Sequence, residues 1–222
     1  MPGPPIRRAK AAETSPIAEV GAAVSRPWHN DRVPDLTPLT PADAAIVETQ
    51  LGRPPRGVAG VAWRCPLGRP GVVATSPSLP DGSPFPTLYY LTCPRAVVGC
   101  STLESEGVMA AMTARLPDDP GLAASYRAAH EAYLADRAAL GDVPEIAGFS
   151  AGGMPQRVKC LHALVGHALA AGPGVNPFGD EALALLGDFF CDATGDDRCE
   201  SADDPATEDA PPGLSAGQLR GV

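Results

Sequence analysis

Thiols and imidazoles are the side chains in this 222-residue chain best suited to holding a metal or moving a proton, and several fall close together. Cys160, His162 and His167 lie in RVKCLHALVGHALAAGPGVNP, a stretch that carries no charge for about a dozen residues after Lys159. Cys65 sits in R-C-P and Cys93 in T-C-P, each just after an extended apolar run. Zinc takes four thiolate, imidazole or carboxylate ligands in a tetrahedron, and iron–sulfur clusters are held by thiolates. A buried imidazole needs a metal or a hydrogen-bond partner.

The spacing predicts a buried helix over 155–171, and on such a helix Cys160 and His162 point about 200° apart. Cys160 and His167 share a face but are roughly 10 Å apart along it. Neither pair has the i, i+4 spacing by which one helix offers two ligands to one zinc. Ligands must therefore come from elsewhere as well. If the first and third strands of a meander run the same way, Cys65 and Cys93 emerge at one end of the sheet. They would then be about 10 Å apart across the middle strand, or about 5 Å apart if directly paired. The expected metal set is Cys65, Cys93, Cys160 and His162, with His167 as the alternative ligand, for zinc or an iron–sulfur cluster. No CxxC pair is present, so the alternative is a set of small buried residues, a common situation for free cysteine.

A second constellation precedes that helix. Gly152, Gly153, Met154 and Pro155 lead into Arg157 and Lys159. Free amides and the dipole at a helix start favour an anion, so Gly152, Gly153, Arg157 and Lys159 form a candidate phosphate or carboxylate site. Arg53, Arg56 and Arg64 could add charge if the sheet packs nearby. Further back, Tyr126, His130, Tyr133 and Arg137 recur at i, i+4, i+7 and i+11, one stripe of a helix. His130 is the candidate acid or base there; the alternative is a packing face.

These residues need elements to place them. Thr40-Pro41-Ala42-Asp43 has a cap, a proline suited to the first helical position and an acid for the positive end of the dipole. That helix should end at Gly52. Strands are expected at 57–64, 71–75 and 87–92, separated by Gly/Pro turns. Helices then dominate: a broken stretch at 95–116, then 122–140, 155–171 and 180–190. Strands followed by helices point to an α+β fold, a small three-stranded antiparallel sheet against about five helices. Residues 1–38 read as a disordered Pro/Ala-rich leader, 39–190 as one domain, and 191–222 as an acidic disordered tail.

Hydrophobic residues make up 44% of the chain, enough for a core. Net charge is −9, and residues 191–222 hold eight acids against Arg198 and Arg220. The remainder is close to balanced, which argues against a nucleic-acid binder. No secretory signal and no apolar run of membrane-spanning length is visible, so the expected location is cytoplasmic, with cysteines as free thiols.

GRPPRGVAGVAWRC, PFPTLYYLTCP and GGMPQRVKCLHALVGHALAAGPGVNPFGDEAL, in that order, resemble the bacterial family catalogued as domain of unknown function 501. The resemblance implies a cytosolic, mainly actinobacterial protein and carries no established activity or catalytic residue. The residues themselves support two functional readings. One is a metal-assisted protein acting on a phosphorylated or carboxylated small molecule. The other is a non-catalytic regulator or scaffold that binds a partner protein, its cysteines merely buried.

Overall fold

A computed structural model of the chain describes residues 35–187. The leader expected for 1–38, except its last four residues, and the tail expected for 191–222 lie outside them. Helix α1 (Pro41–Leu51) begins as its sequence predicts. The Thr40 hydroxyl accepts from the Asp43 amide, the Asp43 carboxylate accepts from the Thr40 amide, and Gly52 closes the helix at φ 64°. Asp43 also takes both ends of the Arg64 guanidinium, at 2.7 and 2.9 Å. That bond, reinforced by the Thr40 contacts, outweighs partial burial and holds the Asp43 carboxyl well below the usual carboxylate range.

Strands β1 (Val58–Arg64), β2 (Pro70–Thr75) and β3 (Tyr89–Leu91) form one antiparallel meander in the order β1-β2-β3. The expected α+β architecture is the one observed. Val72, Ala74, Tyr89 and Leu91 face the main core, while Val73 points to the opposite face. There α1 contacts β2 and buries Val47 completely. Thr37 and Val61 exchange backbone hydrogen bonds of 3.0 and 2.8 Å, so the chain before α1 runs along β1.

Among the described residues six α-helices follow or flank the sheet where about five were expected, because the 95–116 stretch divides. Its parts are α2 (Pro94–Ser105) and α3 (Val108–Arg115), joined through Gly107 at φ 83°. Helix α4 (Pro120–Ala138) carries the Tyr-His-Tyr-Arg stripe, and α5 (Leu161–Ala171) and α6 (Pro177–Leu186) are the last helices among the described residues. Asn176 caps α6 through the Gly179 amide, so the helix begins at Pro177 rather than at 180 as expected.

The packing centres on α5, which touches β3, α2 and α6. Register with β2 leaves the backbone groups of Tyr89 and Leu91 on the outer edge of β3. Gly166 of α5 lies against that edge, where a Cβ would come within 3.2 Å of the Tyr89 carbonyl oxygen. On α5's other flank Gly179 approaches so closely that a Cβ would collide with the Leu164 carbonyl and reach 2.7 Å from Ala168 Cβ.

Candidate functional site

Helix α5 starts six residues later than the sequence predicts. Residues 151–156 turn, and 157–160 belong to no helix or strand. The backbone of this segment is held by partners other than its own helix. Tyr126 donates its hydroxyl to the Arg157 carbonyl at 3.0 Å, and the Val158 amide donates to Thr113 Oγ1 at 2.9 Å. The Lys159 amide donates to the Gly152 carbonyl at 2.8 Å. Gly152 and Gly153 take φ values of 71° and 88°, which side-chain-bearing residues rarely adopt.

The shift changes what Cys160 can do. It is the extended residue before α5 (φ −150°), so the 200° divergence calculated for a continuous helix does not apply. Cys160 Sγ lies 3.8 Å from His162 Nδ1, and Glu104 Oε1 of α2 lies 3.1 Å from the same nitrogen. Among the described residues these form the one group of three or more potential metal ligands whose donor atoms are all within 4.8 Å of one another. The imidazole and carboxylate are each about a quarter exposed.

Glu104 has a second task. Its Oε1 accepts the Leu161 amide at 2.6 Å, so the positive end of α5 receives a carboxylate from α2. The other imidazole nitrogen, Nε2, faces the Val97 carbonyl at 3.1 Å and Ser101 Oγ at 3.4 Å. A carbonyl only accepts, so Nε2 carries a proton and Nδ1 is the nitrogen turned to the cluster. Burial disfavours the charged ring, but the hydrogen bonds and charges of Cys160 and Glu104 prevail and hold the His162 pKa up at about 10. Burial would raise the Glu104 pKa; His162 and the Leu161 amide bring it below its ordinary value. Without a metal, a proton on Nδ1 joins the three groups.

The other expected ligands fall elsewhere. Cys65 and Cys93 do emerge at one end of the sheet, near the paired Arg64 and Pro70. Both are buried and neither joins the cluster. Burial pushes the Cys93 thiol up, with nearby backbone amides opposing, and pushes the Cys100 thiol up further. His167 is fully buried and removed from the cluster. It stacks on Tyr89 with ring centroids 5.7 Å apart, meets Tyr133 edge-on at 5.2 Å, and has Asn176 Nδ2 3.2 Å from its Nδ1.

The anion site is not at a helix start, because Gly152, Gly153, Arg157 and Lys159 precede α5. They remain neighbours: a Cβ on Gly153 would touch Lys159 Cβ at 2.9 Å and Arg157 Cγ at 3.1 Å. Both cationic side chains are exposed, flanking buried Val158. Arg64 is committed to Asp43, whereas Arg53 and Arg56 rim a groove on the opposite face of the sheet. On α4, Arg137 donates to the carbonyls of Pro86, Ile146 and Phe149, and His130 Nδ1 meets Ser150 Oγ at 2.8 Å.

Sequence reasoning missed Glu104 and Ser150. Glu104 gives no local signal, since it is a single acid on a helix more than fifty residues before its partners. Ser150 had one: Gly148-Phe149-Ser150-Ala151-Gly152 spells G-x-S-x-G.

The structure thus defines a small α+β protein with an acid, a thiol and an imidazole gathered between two helices. A family model described as "Protein of unknown function (DUF501)" matches residues 61–184, more than half of the chain. The chain belongs to the DUF501 family. No curated protein and no solved structure matches it. Among the described residues, no helix is long and apolar enough to cross a membrane.

Proposed function

We propose that the chain is a metal-binding protein in which Cys160 Sγ, His162 Nδ1 and Glu104 Oε1 hold one zinc-like divalent ion. The convergence of these three atoms within 4.8 Å carries the reading. Tetrahedral zinc with bonds of 2.0–2.3 Å sets ligand-to-ligand distances of roughly 3.3–3.6 Å. The observed 3.8 and 3.1 Å need shifts of only a few tenths of an ångström. Nε2–H bonded to the Val97 carbonyl is the kind of second contact that fixes a metal-bound imidazole. One thiolate, one imidazole and one carboxylate suit zinc better than an iron–sulfur cluster, which takes mostly thiolates.

Three protein ligands leave a fourth position for water or for an oxygen of a phosphorylated or carboxylated small molecule. Arg157 and Lys159, exposed immediately before Cys160, supply positive charge for such a ligand. Cobalt(II) titration tests the metal site. A thiolate-to-cobalt absorption band should appear at one equivalent and vanish in Cys160→Ser. Full-strength binding in both Cys160→Ser and His162→Ala would end the proposal.

The scaffold reading rests on a different observation. A groove of about 780 Å³ on the opposite face has an apolar floor that includes Val73 and Tyr90, with Arg53 and Arg56 at its rim. Among the described residues neither arginine has an ion-pair partner. Apolar floor and cationic rim together match an acidic segment of a partner protein with an aliphatic or aromatic anchor. Reversing both charges (Arg53→Glu with Arg56→Glu) should abolish capture of an acidic, leucine-containing peptide. Unchanged capture would remove this reading.

A further inference from the structure

Ser150 and His130 form a pair that the metal reading does not use. Ser150 Oγ lies 2.8 Å from His130 Nδ1 and 3.3 Å from the Met154 carbonyl, so the shorter of its two contacts is to the imidazole. Both residues are half-buried and reachable by solvent. The pair is mounted on a fixed support. Arg137, two turns along α4 from His130, donates to the carbonyls of Ile146 and Phe149 and so clamps the chain just before Ser150. Beyond it, the Lys159 amide fixes the Gly152 carbonyl and Tyr126 fixes Arg157.

The amides after Ser150 are available. The N–H groups of Ala151, Gly152 and Gly153 donate to no acceptor among the described residues. The amide that follows a nucleophilic serine is a common donor to the oxyanion of acyl transfer. The G-x-S-x-G string is not set in a strand–turn–helix elbow, since a 3₁₀ turn (Pro144–Ile146) precedes it and an irregular turn follows. The support comes from the hydrogen-bonded pair and the free amides. Burial, with Arg127 and Arg137 nearby, lowers the His130 pKa although Glu131 opposes. The ring is therefore neutral near pH 7 and able to accept a proton.

We propose that Ser150 is a nucleophile activated by His130, and that it accepts the acyl group of a small, unhindered carboxylic ester. Ser150 Oγ adds to the carbonyl carbon while its proton passes to His130 Nδ1. Collapse of the adduct breaks the ester C–O bond, and the departing alkoxide takes that proton from His130. The acyl group remains on Ser150 as an ester. Water, deprotonated by His130, then releases it as the carboxylic acid and restores the serine hydroxyl. Ser150 and His130 are both only half-buried, so a small or terminal acyl group can reach the hydroxyl.

The test is covalent labelling of the full-length protein by a small alkyl fluorophosphonate, read by intact mass and peptide mapping. One adduct is expected on Ser150, none on Ser150→Ala, and labelling about a hundredfold slower in His130→Asn, the scale of a lost general base. Chelator should leave the rate unchanged, which separates this site from the metal cluster. Circular dichroism melts identify any variant that fails to fold, and Ser150→Thr serves where Ser150→Ala does not fold. No adduct on Ser150 in folded wild-type protein would overturn the proposal, as would labelling in folded His130→Asn at the wild-type rate.

Discussion

Replacing Glu104 by glutamine removes a charge while keeping the shape of the side chain. An amide oxygen still accepts the Leu161 N–H, but a charge-assisted bond at a helix start becomes a neutral one, a loss of about 1 kcal/mol. The carboxylate also faces an imidazolium 3.1 Å away, with both groups partly in contact with water. Solvent screening reduces that attraction to about 1–2 kcal/mol. The metal-free variant should therefore lose about 2–3 kcal/mol near pH 7, or roughly 5–10 °C in Tm for a domain of this size.

The pH dependence makes the test sharper. In the wild type the His162 pKa is raised from 6.5 to about 10, so the stabilisation is fully present below the lower value. It is lost as pH rises through the higher one. In Glu104→Gln the pKa falls towards its ordinary value, so less stability remains to be lost over that range. Urea unfolding with chelator present, repeated from about pH 6 to about pH 10, measures both curves. The difference between them should narrow at alkaline pH to about the 1 kcal/mol of the Leu161 N–H bond, which does not titrate. Parallel curves, or a difference below about 0.5 kcal/mol at pH 7, would refute the account of Glu104.

Other substitutions probe separate features. Gly179→Ala drives a methyl into the Leu164 carbonyl and should destabilise by about 2–4 kcal/mol, measurable by thermal melting. Arg137→Met leaves the carbonyls of Pro86, Ile146 and Phe149 without their buried donor. It should cost about 3 kcal/mol and speed amide exchange in residues 146–150. The double variant Cys65→Ala with Cys93→Ala should retain one full cobalt(II) equivalent, because neither thiol joins the cluster; loss of the metal would place a ligand at the sheet end.

Local chemistry was legible wherever one short segment determined the outcome. The Thr40–Asp43 capping contacts and the Gly52 stop are short-range hydrogen-bond patterns, and each appears where its residues predict. The three strands and their meander follow from β-branched and aromatic runs between Gly/Pro turns. The start of α5 was not legible. Apolar periodicity continues back to Val158, but tertiary partners on α3 and α4 take the backbone groups of Arg157 and Val158. That error propagated to the site, because a helical Cys160 points away from His162 whereas an extended one reaches it. Glu104 was invisible for another reason: a ligand from a distant helix becomes evident only once α2 and α5 are packed together.

Gly166 has a consequence for how molecules of this chain meet. An uncovered strand edge lets a neighbouring chain extend the sheet hydrogen bond by hydrogen bond. Here a helix backbone lies against one border, and at the opposite border the chain around Thr37 bonds to Val61. Among the described residues, both borders of the sheet are thus covered at these points, which hinders self-association by strand addition. Among the described residues, helical surfaces and the groove beside Tyr90 are what this leaves for a partner copy. A bulkier residue at position 166 would push α5 off β3, uncover its edge and permit sheet-to-sheet growth.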